Sequence, residues 1–268
     1  MQVDWSPPEV PVDRPSVARM WDYMLGGYHY FEVDRVMADR IAQLYPDLPL
    51  VARANRALLR RIVHFLSDQG IDQFIDVGSG IPTASNVHEI AQARNPNARV
   101  VYVDIDPIAI AHSLAILRDN PLATAIQADF RQIKDILDLE QVRALIDYEK
   151  PFALILLALL HFIPDDDEAY GAVRAARDRM APGSFMAIVH TSYECAPPDV
   201  LEQIQKISAG AATTRMRTRQ EILRFFEGFE LVEPGLTFIP LWRPDKEDAL
   251  FFEHPERTLS YCGVGRKL

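Results

Sequence analysis

Asp76-Val77-Gly78-Ser79-Gly80 follows the apolar residues 74–75 and precedes a segment of helical texture, so the chain turns there from a strand into a helix. Two glycines in such a turn let the main chain come close to a bound molecule that side chains would hold off. The ligand would then sit beyond the carboxyl ends of the strands, with Asp76, Gly78, Ser79 and Gly80 as its first candidate contacts. The dinucleotide fingerprint asks for a third glycine where this chain has Thr83, which weakens the alternative of a nicotinamide-dependent oxidoreductase.

Downstream of the turn, short apolar runs alternate with helix-length amphipathic segments, the pattern of a parallel sheet covered on both faces. Strands are predicted at 74–77, 100–103, 125–127, 152–160 and 185–189, with helices at 85–94, 107–117, 133–146 and 166–180. Thr218 and Glu221 have capping-box spacing and open a helix over 220–226. Residues 229–232 and 259–264 read as two further strands with no full crossover helix between them, which favours an antiparallel pairing. Upstream, helices are predicted at 16–25, at 33–44 with Pro46 and Pro49 as stops, and at 52–66 with Gly70 as the stop. The division that follows is a helical cap over 1–69 and a ligand-binding body over 70–268.

Acidic residues end the next two strands. Asp104 lies about two dozen residues beyond the glycine turn, the spacing at which a carboxylate reaches ribose hydroxyls, with Ile105 beside it. Asp106 precedes Pro107 and suits a helix cap. Asp129 stands where a carboxylate would accept from an adenine amino group, with Phe130 placed to pack on the ring.

The 268 residues suffice for one large core with an appendage, and at 49% hydrophobic and 25% charged the composition is that of a globular protein. No apolar run reaches the roughly 18 residues of a membrane span, and residues 1–15 lack the order of a secretory signal, so a cytoplasmic location is expected. A net charge of -10 argues against a nucleic-acid partner. The one dense basic run, Arg53, Arg56, Arg60 and Arg61, reads as the solvated face of a helix. Cys195 and Cys262 form no paired motif, and neither a disulfide framework nor a metal is indicated.

These residues resemble the motif order of class I methyltransferases from about residue 71 onward. Asp76 to Gly80 matches the glycine-rich first motif, Asp104 the ribose acid, Asp129 the adenine-side acid, and Ala181-Pro182-Gly183-Ser184 the turn before the fifth strand. A closer resemblance covers nearly the whole chain. Asp13-Arg14-Pro15-Ser16, Asp22-Tyr23-Met24-Leu25-Gly26-Gly27, Asn55-Arg56, the run from Pro82 to Glu89 and Leu160-His161-Phe162-Ile163-Pro164-Asp165 look like an actinobacterial S-adenosylmethionine methyltransferase family once grouped as a domain of unknown function. The resemblance implies S-adenosyl-L-methionine as cofactor. It also implies an α/β, Rossmann-like fold: a seven-stranded, mostly parallel sheet with an antiparallel last strand, plus the N-terminal helical cap.

Methyl transfer is a displacement at carbon, which demands alignment and at most one proton acceptor. His161 and His190 follow strands four and five and are the candidate general bases. Arg19 or Tyr23 of the cap would meet the cofactor carboxylate, with Trp21, Tyr28 and Tyr30 lining an acceptor pocket. The function expected is transfer to O or N of a small-molecule acceptor; a cofactor-binding regulatory protein without catalysis is the other class.

Overall fold

The computed structural model describes residues 12–82, 86–195, 198–208, 213–245 and 250–268. Helices α1 (Val17–Met24) and α2 (Glu32–Leu44) pack on each other through Met20, Met24, Ala38 and Ile41. In α3 (Leu48–Asp68) the stripe of Leu58, Leu59, Ile62, Val63 and Leu66 instead joins the sheet's own core. Pro49 does not act as a stop. It lies in the first turn of α3, where a proline's missing N–H has no helical acceptor to lose.

The body then alternates: β1 (Gln73–Val77), α4 (Val87–Arg94), β2 (Arg99–Asp104), α5 (Pro107–Ile116), β3 (Ala123–Gln127), α6 (Ile133–Asp138), α7 (Glu140–Arg143), β4 (Ala153–Leu157), α8 (Asp166–Arg179) and β5 (Phe185–Thr191). Next come α9 (Pro198–Ser208), α10 (Arg219–Arg224), β6 (Phe229–Leu231), β7 (Thr237–Phe238) and β8 (Ser260–Lys267). The sheet order is β3-β2-β1-β4-β5-β8-β6, with β7 added beside β8. Strands β1 to β5 run parallel, and β8 lies antiparallel between β5 and β6. The strand alternation fills two cores: Phe74 faces the layer with α3 and α4, while Ile75 and Val77 face the layer with α6, α8 and α10.

Further details differ from the sequence reading, among them helix α9, which has no counterpart in it. The two-residue β7 raises the strand count among the described residues to eight. The helix predicted over 133–146 is split, because Leu139 takes an extended conformation between α6 and α7. Strand four ends at Leu157, and Leu160–Phe162 forms a 3-10 turn. The capping box holds: Thr218 Oγ1 accepts from Glu221 N–H at 3.1 Å, and Glu221 Oε2 accepts from Thr218 N–H at 2.7 Å. No helix among the described residues is long and apolar enough to cross a membrane.

Candidate functional site

The glycine turn is tied to the neighbouring strand. Gly78 and Ser79 N–H both donate to Val103 O, at 2.8 and 3.3 Å. Gly78 has φ +70°, and a Cβ there would stand 3.0 Å from Leu159 Cδ1, so both backbone and space require glycine. Gly80 N–H donates to Asp104 Oδ2 at 2.7 Å, and Asp106 N–H donates to Asp104 Oδ1 at 2.8 Å. The Asp104 carboxylate thus organises both loops, and each oxygen keeps a second lone pair for a ligand. Burial raises its pKa, opposed by those N–H groups. Asp106 caps α5 by accepting from Ile108 N–H, and its other oxygen accepts from the Ser16 hydroxyl, which joins the cap to the body.

Above this turn lies a cavity of about 430 Å³, bounded by the turn, Asp76, Asp104, Ile105, the loop after β4, and residues of α1 and α3. Asp76 is pushed up to about 7, first by burial; Arg56 opposes this and Asp104 adds to it. Ser79 Oγ is buried with no hydrogen-bond partner among the described residues. An unpaired hydroxyl, open backbone at the turn and an acidic strand end suit a nucleoside with an amino-acid tail.

A second chamber, of about 160 Å³, adjoins the first. Val17, Trp21, Asn55, Ala158 and Phe162 belong to both walls. Met20, Met24 and Ile41 of the cap and Val189 and Ile239 of the body make it strongly apolar. Ala158 holds φ +58°, a costly conformation for a non-glycine residue, at the partition between the two. Two polar atoms at the chamber are buried without partners among the described residues: Asn55 Oδ1 and His161 Nδ1. Burial, and then the nearby Arg217, pushes His161 down to about 3, so the ring is neutral.

Most of the remaining predicted site residues are placed elsewhere. His190 is fully buried; Arg217 donates to its Nε2 at 3.0 Å, which leaves Nδ1–H to donate to Thr191 O at 2.8 Å. Both nitrogens are occupied and the ring lines neither cavity, so His190 is not placed as a base. Arg19 is buried against Asp34 (2.7 Å) and Arg14 O (2.6 Å), and Tyr23 donates to Asp39 (2.8 Å); both build the cap and neither lines the cavity. Asp129 caps the turn at 130–132 and pairs with Arg131, while Phe130 is buried among Ile133, Ile136 and Leu160; both lie outside the lining. Ile105 is at the rim, 64% exposed. Trp21 lines both cavities, Tyr28 is exposed, and Tyr30 packs on Tyr23. Thr83 lies outside the described residues.

The basic run is a solvated face only in part, with Arg53 exposed. Arg61 is buried, donating to Trp242 O and Ile239 O, and Arg56 lines the larger cavity. Asn55, Arg56 and Asp22 are among the polar lining residues that the sequence reading did not select. The signal was there for the first two: they stand three and four positions after Ala52 and before Leu59, within a buried stripe.

The buried imidazole gives a pH prediction. His161 has its pKa lowered in the fold, so the unfolded chain binds the extra proton between about 6.5 and 3, and stability falls as pH drops through that window. Asp76, raised to about 7, acts in the opposite sense over much of the same range. The comparison with His161→Gln isolates the histidine. Going from pH 7.5 to 5.5, wild type should lose on the order of 1 kcal/mol more than the variant in urea unfolding; parallel losses would refute the neutral buried ring.

The S-adenosyl methyltransferase family model matches residues 3–268. A crystal structure of a candidate methyltransferase from Thermobifida fusca is similar at 40% identity and a TM-score of 0.91, covering 99% of each chain. A DUF574 family protein from Streptomyces avermitilis is similar at 37% identity and a TM-score of 0.91, over 96% of this chain and 99% of that one. No functionally curated protein matches the sequence.

Proposed function

The chain belongs to the S-adenosyl methyltransferase family, and from that premise we propose that it methylates an O or N atom of a small molecule enclosed in the apolar chamber. The observation that carries this reading is the shared partition: a ligand in the chamber meets a ligand in the larger cavity across Trp21, Asn55, Ala158 and Phe162. S-adenosylmethionine supplies a methyl group on a sulfonium, and the protein's part is to align the acceptor with it.

In this reading Asp104 accepts from the ribose hydroxyls, Ser79 and the glycine turn bind the tail, and Arg56 meets the tail's carboxylate. His161 orients the acceptor by taking a hydrogen bond from its O–H or N–H. A pKa near 3 lies well below the neutral range that suits a general base. The described part of the cap, residues 12–69, closes the chamber, with α1 and α2 as its outer part. Enclosure under helices, together with the net charge of -10, favours a small neutral acceptor over a nucleic acid.

The test is transfer of isotopically labelled methyl from S-adenosylmethionine into a cell extract separated by size. Label is expected below about 1 kDa, the scale of a ligand for a single pocket. Label confined to protein or RNA, or none at all, would refute the proposal.

A further inference from the structure

The segment Asp22-Tyr23-Met24-Leu25-Gly26-Gly27 has a shape that its place in the cap does not explain. Asp22 sits in α1 with no exposed side-chain surface. Gly27 N–H donates to Asp22 O at 2.8 Å, and His29 N–H donates to Asp22 Oδ2 at 2.7 Å, so the loop wraps back over the carboxylate. A Cβ on Gly27 would stand 2.1 Å from Asp22 Oδ1; only glycine leaves the room. Oδ1 itself is buried and has no hydrogen-bond partner among the described residues. The His29 Nδ1 atom is 3.8 Å away, beyond hydrogen-bond range, on a ring 43% exposed. Arg56, a cation lining the same cavity, has Asp76, Tyr102 and Glu89 as its favourable electrostatic neighbours. Asp22 lines the larger cavity, on the wall contributed by the cap.

A buried carboxylate with one unsatisfied oxygen is costly unless a donor arrives. We infer that Asp22 is a cofactor-binding residue, its Oδ1 accepting from an N–H or O–H of the S-adenosyl ligand, so that ligand binding fastens the cap to the body. The ammonium of the amino-acid tail and the donors of the nucleoside share this chemistry. The inference rests on the assignment of the larger cavity to the cofactor.

The experiment uses the full chain and Asp22→Asn, which keeps the acceptor for His29 N–H but replaces the free oxygen with a donor. Calorimetric titration with S-adenosylhomocysteine should show affinity weakened roughly ten- to a hundredfold, the range for a hydrogen bond to a charged group. Without ligand, the variant should melt at the same temperature as wild type or higher, because an unsatisfied buried oxygen has gone. Adenosine as a second probe separates the two donors. Weakening that recurs with adenosine places the donor on the nucleoside, and weakening restricted to S-adenosylhomocysteine places it on the ammonium; both support the inference. Equal affinity in variant and wild type would overturn it, as would a variant that binds normally but melts lower, the sign of a purely structural carboxylate. Failure of wild type to bind S-adenosylhomocysteine would overturn the cavity assignment itself.

Discussion

Asp104→Ala should weaken S-adenosylhomocysteine binding by at least about a hundredfold, since two or more hydrogen bonds to a charged group are lost at once. The carboxylate holds Gly80 N–H and Asp106 N–H on separate oxygens, and its remaining lone pairs are the proposed ribose acceptors. Alanine would leave both N–H groups without an acceptor in a site only 6% exposed, and the glycine turn would lose its tie to the loop after β2. Calorimetry measures the affinity, and urea unfolding separates it from stability. An affinity within about threefold of wild type would remove Asp104 from the site, that being less than one hydrogen bond's worth.

Arg217→Ala should destabilise the fold by about 3–5 kcal/mol, from buried acceptors left without a donor at roughly 1–3 kcal/mol each. This side chain is fully buried and spans three parts of the body. It donates to Leu160 O (3.1 Å) and Ile163 O (3.0 Å) after β4, to His190 Nε2 (3.0 Å) on β5, and to Asp166 Oδ1 (2.9 Å) at the start of α8. Asp166 is partly exposed and water can replace that partner, but the two carbonyls and the imidazole would be stranded. Lysine keeps the charge and loses the fork, so Arg217→Lys should fall between wild type and alanine. A urea midpoint for Arg217→Ala shifted by less than the equivalent of about 1 kcal/mol would contradict this account.

The sheet was legible because its strands are short apolar runs between helical segments, and the register of Phe74, Ile75 and Val77 follows from alternation alone. The turn at 76–80 and the acid at 104 were legible because local chain geometry places them together. Residues from the cap were not. Arg19 and Tyr23 offered the expected chemistry, yet each found an aspartate on α2, and sequence spacing does not reveal such a pairing between helices. His190 shows the same limit: its partner Arg217 is 27 positions away and occupies the nitrogen a base would need. Phe130 was a matter of direction, for the side chain after a strand end can face the core as readily as the ligand.

The position of β8 has a consequence for the order of folding. Its residues Ser260–Lys267 separate β5 from β6 and pair with both, although they come later in the chain than either. During synthesis β5 therefore keeps an unpaired edge until residues 260–266 of β8 have emerged, even when the five parallel strands have already assembled. An open, apolar strand such as Phe185–Thr191 is a template for pairing with another nascent chain. Slow passage of the ribosome over the codons of β8 should thus reduce soluble yield more than an equal delay anywhere in the cap, a difference that paired synonymous-codon variants would reveal.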